Sequence, residues 1–564
     1  MPAGPRTRPW ERRAAGGLAE VALGVGVALG FTAWGSSIDE SPVTRAGQVS
    51  ALAALQLRFA LVALPLLVLV AVTTVHGPAT RRRMVLRGSC AAVAGLVTGL
   101  LGAGQVYALR GTPWPLAGLS GDDGRLILMA REVIANGATH SFYPPLVPYL
   151  MAAGVQHLGV AEPAFVLRQL LIGAVALTGP LTYAAWRLSV RPLAALCLAA
   201  VAGLPQFLPY KSYSALALLL LLPLLVRLLT WLRVSRGLSL RGALGRGVAL
   251  GAASGLVFLL YSGWHVWAVP GAAVAVLACF PWRGGRRRLG GPAVLLGGAG
   301  AAFLLVAGRY LWVLLHAVTV KDSYCSLVTL TQPGYFGPLP LSAALWDQPG
   351  VWPPLGEFAG LGVFMVVLVV GAAAAVWLGL SRPLVVAPLA VLAGAWLARF
   401  WIASHLARDQ ASQLFPRTAN VVQVCLAVLL VAAALLVLER GRALVRLVRQ
   451  DDSHPRPVAP VPHRFGAVGV LLGVALVGAM SGSALTDAYL PQGPNSPTAG
   501  SLAWNAQQIR LPDGQCPAFA DGGRCGSPAR TGPLPADVDY ATSTPSPDFA
   551  RQCVYPWQRK ARAS

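Results

Sequence analysis

Long apolar runs separated by short polar segments recur along almost the whole chain of 564 residues. Most runs are about 20 residues long, the length that a helix needs to cross the roughly 30 Å hydrocarbon core of a bilayer. Inside that core the backbone must satisfy its own hydrogen bonds, and the runs are too long for the strands of a barrel. The pattern therefore predicts an all-α polytopic membrane protein.

We expect about thirteen transmembrane helices. The predicted spans are residues 16–36, 50–75, 89–109, 163–187, 192–208, 213–232, 247–263, 265–281, 292–315, 358–380, 383–401, 419–438 and 466–486. A further segment, 143–159, is short and contains Pro144, Pro145 and Pro148. Because proline removes a helical hydrogen bond donor, this segment is expected to be an interfacial or re-entrant helix.

This pattern predicts a membrane domain over residues 1–486 and a small outer tail over 487–564. Thirteen crossings would place the two termini on opposite sides of the membrane. The outer side would then also carry the polar segments 110–162, 316–357 and 402–418. The tail is rich in Pro, Gly, Ser and Asp, but its tryptophans and cysteines favour a small ordered patch over full disorder.

The arginine clusters indicate the orientation. If the N-terminus is cytoplasmic, every dense cluster falls on the cytoplasmic side, as the positive-inside rule expects. These clusters are Arg81–Arg83, then Arg233, Arg236, Arg241 and Arg246, then Arg283 and Arg286–Arg288, and finally Arg440, Arg442, Arg446, Arg449, Arg456 and Arg464. We therefore predict a multi-pass protein of the plasma membrane with a cytoplasmic N-terminus and an extracytoplasmic C-terminus.

Composition agrees with a membrane location and argues against nucleic-acid binding. The chain is 55% hydrophobic and only 12% charged, and its formal net charge is +24. Soluble domains contain about 25% charged residues. The arginines form short clusters between apolar runs instead of one basic face, so membrane lipids are the expected partners and nucleic acid is not.

Four of the eight cysteines lie in apolar runs, where a cysteine behaves as a small core residue. The other four, Cys325, Cys516, Cys525 and Cys553, fall in predicted outer segments. Cys516 and Cys525 could pair and close a short loop, although the sequence cannot fix this connectivity.

Two adjacent carboxylates, Asp122 and Asp123, begin a stretch that has apolar residues at helical spacing over 126–134. A carboxylate on the outer face of a membrane can remove the proton of an acceptor hydroxyl and make it more nucleophilic. In glycosyl transfer, that hydroxyl then displaces a phosphate from the anomeric carbon. The alternative is a solvated turn in which the pair caps the helix. The position just outside a membrane helix favours the catalytic interpretation.

Basic residues near predicted outer helix ends could bind the phosphate of a lipid-linked donor, since guanidinium and ammonium groups pair with phosphate oxygens. The candidates are Arg125, Arg131, Lys211, Arg309, Lys321, Arg408 and Arg417. Arg309 lies inside an apolar run, where a charged side chain usually faces a cavity. As alternatives, Arg125 and Arg131 could anchor to lipid headgroups, and Lys321 could pair with Asp322.

Three further polar residues are candidate substrate contacts. His405 and Asp409 lie with two arginines in the short segment 402–418, which is typical of a phosphate or sugar site but also of a solvated loop. His265 lies between Trp264 and Trp267. These rings could stack on a sugar or belong to an interfacial aromatic belt.

One segment resembles a known family. Gly121-Asp122-Asp123 is followed by Arg125 and Arg131, and then by Phe142-Tyr143-Pro144-Pro145. In this order the three features resemble the polytopic GT-C glycosyltransferases that use polyprenyl-phosphate sugars. They are most similar to the actinobacterial galactan 5-O-arabinofuranosyltransferase family. The tail 487–564 does not resemble the C-terminal part of that family.

The resemblance implies transfer of arabinofuranose from a decaprenyl-phosphate donor to a hydroxyl of a cell-wall polysaccharide, galactan, on the outer face. It implies that Asp122 is the general base, with Asp123 as a neighbour able to substitute for it. Tyr143, in the aromatic stretch that follows, is a candidate substrate contact. No cofactor is certain, and a divalent cation remains an option because two carboxylates can ligate one.

A transporter or flippase of lipid-linked sugars is the main alternative, and a non-catalytic scaffold is another. A transporter needs polar groups along a path through the membrane. The predicted spans contain Arg58 and Arg309, and we expect no acidic residue within them, because the acids cluster in outer segments. This distribution favours an enzyme.

Overall fold

A computed structural model of the protein describes residues 9–119, 121–139, 143–200, 211–282, 289–316, 363–409, 417–451, 466–494 and 499–526. These residues are almost entirely helical. The one β-type pairing among them is an isolated bridge between Ile509 and Gly526. The prediction of an all-α polytopic membrane protein is confirmed, because many of the helices are long and apolar.

Sixteen α-helices are defined in the described ranges. They are α1 (Pro9–Gly35), α2 (Arg45–His76), α3 (Ala79–Ala108), α4 (Gly121–Asn136), α5 (Leu146–Leu158), α6 (Pro163–Arg187), α7 (Pro192–Ala200), α8 (Ser212–Val234), α9 (Leu240–Leu260), α10 (Gly263–Cys279), α11 (Gly290–His316), α12 (Val363–Gly379), α13 (Pro383–Asp409), α14 (Thr418–Asp451), α15 (Gly466–Tyr489) and α16 (Gly500–Gln507).

Each of the thirteen predicted spans overlaps a described helix. Within the described ranges, ten helices are long and apolar enough to cross a membrane, namely α1, α2, α3, α6, α8, α9, α11, α13, α14 and α15. Helices α10 and α12 are apolar but shorter. Only the first part of the predicted span 192–208 is described, as α7. The proline-containing segment 143–159 forms the 13-residue helix α5, which is too short to span a bilayer.

The chain divides into two compact units. The first comprises residues 1–127, 154–223 and 442–529, and the second comprises 128–153, 224–441 and 530–564. In the first unit, α3 packs against α1, α2, α6 and α15. A side chain at Gly95 of α3 would clash with the carbonyl of Gly24 in α1. Small residues of this kind let membrane helices approach closely.

In the second unit, α9 packs along α11 and α10 packs along α13. Here too a glycine makes close approach possible, since a side chain at Gly271 would clash with the backbone of Ala390. An apolar cluster that includes Ala375, Val385 and Leu429 joins α12, α13 and α14. Packing in this unit therefore follows the pattern of the first.

Within each unit, helix ends that the predicted crossings place on the same side of the membrane lie close together. In the first unit, Arg110 after α3 donates to the carbonyl of Ile38 after α1 at 2.7 Å. Gln48 at the start of α2 donates to the carbonyl of Pro491 after α15 at 2.7 Å. In the second, Arg440 of α14 donates to the carbonyl of Leu378 at the end of α12 at 2.8 Å.

The expectation that the spans contain no acidic residue is wrong. Glu20 lies in α1 within the candidate span 15–35 and is only 6% exposed. It forms ion pairs with Arg87 of α3 and Arg187 of α6. It also accepts a hydrogen bond from the hydroxyl of Tyr183 at 3.0 Å. Burial of the charge is therefore balanced by three partners, which tie α1, α3 and α6 together.

Candidate functional site

Asp122 and Asp123 occupy the first turn of α4. The helix starts at Gly121, whose φ of +58° lies in the left-handed region that favours glycine. Acidic side chains in the first turn are favoured there, because the N-terminal end of a helix carries partial positive charge. The sequence therefore forms a turn that leads directly into a helix beginning with two carboxylates.

Asp122 forms an ion pair with Lys211 through its Oδ2 atom. Lys211 immediately precedes α8, and its side chain is only 4% exposed, whereas that of Asp122 is 24% exposed. The next residue, Ser212, donates to the carbonyl of Leu171 in α6 at 2.7 Å. The structure thus brings together the predicted base and one of the predicted phosphate-binding residues, and it anchors the lysine backbone on α6.

Asp123 is in a different environment, although it is the next residue. It is fully buried, and neither carboxylate oxygen makes a well-formed hydrogen bond to the described part of the chain. Burial raises its pKa well above the usual value, and the neighbouring charge of Asp122 raises it further. The backbone of Ala117 and the ammonium of Lys211 only partly oppose this shift. Burial therefore favours the protonated form of Asp123, and Asp122 is the accessible carboxylate.

Helix α4 has the amphipathic character that its sequence predicts. Residues Asp123, Leu126, Ile127, Ala130 and Val133 are buried at helical spacing. The two predicted arginines, at 125 and 131, are half-buried on the same helix, and each makes contacts within the structure. Their role as phosphate ligands stays a prediction. Tyr143 is half-buried in the turn before α5, and Phe142 lies outside the described residues.

A second polar cluster, in the other compact unit, surrounds the break between α9 and α10. Arg417, just before α14, donates to the hydroxyl of Tyr261, and its guanidinium lies 5.7 Å from the ring centre. The hydroxyls of Ser262 and Tyr310 are 2.9 Å apart. The ring of His265 contacts that of Phe258 at 5.2 Å. The cluster contains His265 and Arg417 from the sequence prediction.

The aromatic rings of this junction are mostly packed inside the protein. Tyr261 is 3% exposed and Trp264 is 2% exposed, and their ring centres lie 5.3 Å apart. Rings so deeply buried hold the junction together, so stacking of a sugar on Trp264 does not fit their position. Arg417 and His265 are partly exposed and stay candidate ligand contacts.

Two further candidates, Arg309 and His405, have no contact with either cluster in the described ranges. Arg309 is exposed on the same face of α11 as Leu305 and Trp312, and its role as a phosphate ligand stays a prediction. Arg408 is exposed in the last turn of α13. His405 stacks on Trp401 with ring centres 4.3 Å apart. Lys321 and the side chain of Asp409 lie outside the part of the chain that is described.

The C-terminal tail supplies contacts that the sequence did not indicate. Cys516 and Cys525 form a disulfide, which settles the pairing left open above. The segment 499–526 containing this disulfide packs on residues 110–118, directly before α4. Sequence signals for this packing are weak, since the contacts are mostly hydrogen bonds to backbone groups.

Within the described ranges, no group of three His, Cys, Asp or Glu side chains is arranged to hold a metal ion. Asp122 already faces the ammonium of Lys211. The chain's own groups thus supply positive charge beside the carboxylate.

Comparison with known proteins adds no relative to this picture. No protein-family model matches the chain, and no curated protein matches it significantly.

Proposed function

We propose that this protein is a membrane glycosyltransferase that moves a sugar from a polyprenyl-phosphate donor to a hydroxyl of a cell-envelope glycan. The ion pair between Asp122 and the buried Lys211 carries the proposal. It combines a carboxylate that is open to solvent with a cation, at the start of an amphipathic helix beside membrane spans. The resemblance around Gly121-Asp122-Asp123 makes arabinofuranose the first sugar to test.

In the proposed reaction, the carboxylate of Asp122 accepts the proton of the acceptor hydroxyl. The hydroxyl oxygen forms a bond to the anomeric carbon of the donor sugar, and the bond from that carbon to the phosphate oxygen breaks. The electron pair leaves with the polyprenyl phosphate. General-base assistance of this kind typically contributes about 10²–10⁴-fold in rate.

Lys211 has two tasks in this scheme. Without substrate, its ammonium orients the carboxylate of Asp122. An ammonium has three N–H donors, so it can keep this contact while another donor binds the departing phosphate. Lys211 would therefore stabilise negative charge where it develops. Asp123, whose burial favours the protonated form, serves as a neighbour and not as the base.

Glu20 is the observation that bears on the alternative of transport, because a buried acid within a span is a feature of ion-coupled transporters. Its oxygens are engaged by Arg87, Arg187 and Tyr183, which join three helices. This complete pairing favours a structural role. The enzyme therefore remains the better supported proposal, with the site on the extracytoplasmic face of the plasma membrane.

Incubating the protein in membranes with a radiolabelled polyprenyl-phosphoryl sugar and a panel of glycan acceptors tests the proposal. We expect a labelled glycan from the wild type and a loss of about 10²-fold or more with Asp122→Asn. The arabinofuranosyl donor is compared with other sugars on the same lipid. Movement of the donor across vesicle membranes without any glycan product would contradict an enzyme and support a flippase.

A further inference from the structure

We infer that the disulfide-closed segment 499–526 positions the Asp122–Asp123 helix by clasping the loop that leads into it. The clasp is defined here as the contacts of residues 499–526 with residues 110–118. Its existence is independent of the proposed function. Only its consequence for turnover rests on that function.

Hydrogen bonds to the backbone form the first part of the clasp. The side chain of Gln507, which is fully buried, donates to the carbonyl of Arg110 at 2.8 Å. Thr112 donates to the carbonyl of Ala506 at 3.1 Å. The indole N–H of Trp114 donates to the carbonyl of Ile509, also at 3.1 Å. Buried polar groups need such partners, so separating the two segments would leave several unsatisfied.

Close packing at two glycines forms the second part. Gly111 has a φ of +80° and lies against the ring of Phe519, and Gly118 has a φ of +62° and lies under Ile509. A side chain at either position would be strained by the backbone conformation and would also meet the tail. The loop and the tail are therefore fitted to each other at both ends of the contact.

The disulfide holds the tail in the shape that makes these contacts. The disulfide between Cys516 and Cys525 encloses a short loop. Directly after it, the backbone N–H of Gly526 donates to the carbonyl of Gln508 at 3.0 Å. Phe519 lies within this loop, where the guanidinium of Arg110 is 5.9 Å from its ring centre. A cross-link restricts the unfolded forms of such a small segment, which has little apolar core of its own.

The clasp is connected to the acidic pair by a short path. Trp114 also packs on Phe165 of α6, with ring centres 5.2 Å apart, so the loop is fixed to the membrane domain. The backbone N–H of Gly118 donates to the carbonyl of Pro115 at 2.8 Å and closes a turn. A side chain at Gly124 would clash with the carbonyl of Leu119, which shows how closely α4 follows this turn. Displacement of the loop would therefore displace Asp122.

Hydrogen–deuterium exchange of the full-length protein in nanodiscs tests the clasp. The test variants are the double variant Cys516→Ser, Cys525→Ser and the single variant Trp114→Phe, which removes the indole N–H and keeps a smaller aromatic ring at this position. Arg524→Ala is the matched control, because this exposed residue of the tail makes no hydrogen bond to the loop in the described structure. We expect exchange over 110–127 to rise about tenfold in both test variants and to stay unchanged in α6 and in the control.

Unchanged exchange over 110–127 in the double variant overturns the inference. If the double variant unfolds throughout, Trp114→Phe decides: a local rise supports the clasp and no rise overturns it. Transfer assays on the same proteins provide the second readout. We expect kcat to fall roughly 10–100-fold with little change in the donor KM, since misplacement of the base affects the chemical step. A local rise in exchange with unaltered kcat supports the clasp and contradicts Asp122 as the base.

Discussion

At the scale of single residues, two neighbouring aspartates acquire different properties. Asp122 remains open to solvent and pairs with Lys211, whereas Asp123 is fully buried with a raised pKa. They point in different directions because successive residues of a helix are separated by about 100° around its axis, which follows from 3.6 residues per turn. The position in the helix therefore divides the pair into a candidate base and a buried neighbour.

The first prediction concerns this division. Asp122→Asn should lower glycosyl transfer by about 10²–10⁴-fold, because asparagine keeps the shape but cannot accept the proton. Asp123→Asn should retain most activity, since it resembles the protonated acid. Glu40→Gln, an exposed acid after α1, is the control. The measurement is initial rate at saturating donor, and normal turnover by Asp122→Asn would remove it as the base.

The second prediction concerns pH and stability. The pKa of Asp123 in the folded protein is raised above the unfolded value of about 3.9. The contribution of the Asp123 carboxyl to stability is therefore fully present below the unfolded pKa, where the group is protonated in both states. It is lost as the pH rises towards the folded pKa. Asp123→Asn cannot ionise, so it should be more stable than the wild type at neutral pH. The difference in stability between the wild type and Asp123→Asn is measured by thermal unfolding in detergent, over roughly pH 5 to pH 8.

An equal decline of stability with pH in the wild type and in Asp123→Asn would contradict the burial of an ionisable group at this position. Asp122→Asn is the matched comparison, because the same chemical change is made at a residue that is partly exposed.

At the scale of helices, buried polar contacts determine which helices are neighbours. Glu20 joins α1 to α3 and α6. By contrast, Arg382 and Glu439 in the second unit form an exposed pair at 3.8 Å. Removing one partner from a buried network leaves charges unpaired, whereas exposed pairs are worth little.

The third prediction compares these two pairs. Glu20→Gln should lower the free energy of unfolding by about 3 kcal/mol, and Glu439→Gln by less than about 1 kcal/mol. Because the substitutions are identical, the difference reports burial. Unfolding of both variants in the same detergent is followed by circular dichroism. Equal effects would show that Glu20 does not tie the three helices together.

At the scale of the whole molecule, helix ends within each unit lie where alternate crossings would place them. Arginines concentrate at one set of ends in the second unit, where Arg233 contacts Cys279 and Arg440 contacts Leu378. The positive-inside rule assigns such ends to the cytoplasm. Orientation therefore remains a prediction from charge, and it places the acidic pair outside.

The fourth prediction tests this orientation. Arg241 and Glu40 are both exposed and lie at opposite ends of the predicted crossings. Each is replaced by cysteine in a separate variant, Arg241→Cys or Glu40→Cys. An impermeant maleimide should label position 40 in intact cells, and position 241 only after permeabilisation. The parent protein is the control for its native cysteines. Labelling at 241 in intact cells would reverse the orientation and remove the outer site. Arg286, from the predicted cytoplasmic clusters, lies outside the described residues, as does the side chain of Arg446.

The sequence by itself determined the fold class and most of the helices, because the bilayer requires long apolar segments whose backbone is bonded internally. It also located the amphipathic helix α4, since apolar residues at 126, 127, 130 and 133 recur at the helical period. Glu20 lies within the predicted span 16–36, but the hydropathy pattern does not mark it as a buried acid. A single charge near a helix end does not interrupt an apolar run.

Only the tertiary structure decided which distant residues meet. The pairing of Asp122 with Lys211 and the contact of Gln507 with Arg110 join positions far apart in the chain. Such contacts depend on how helices pack and on backbone carbonyls, which leave no periodic signal in the sequence. Burial likewise separated Asp123 from Asp122, because desolvation is a property of the surrounding packing and not of the residue type.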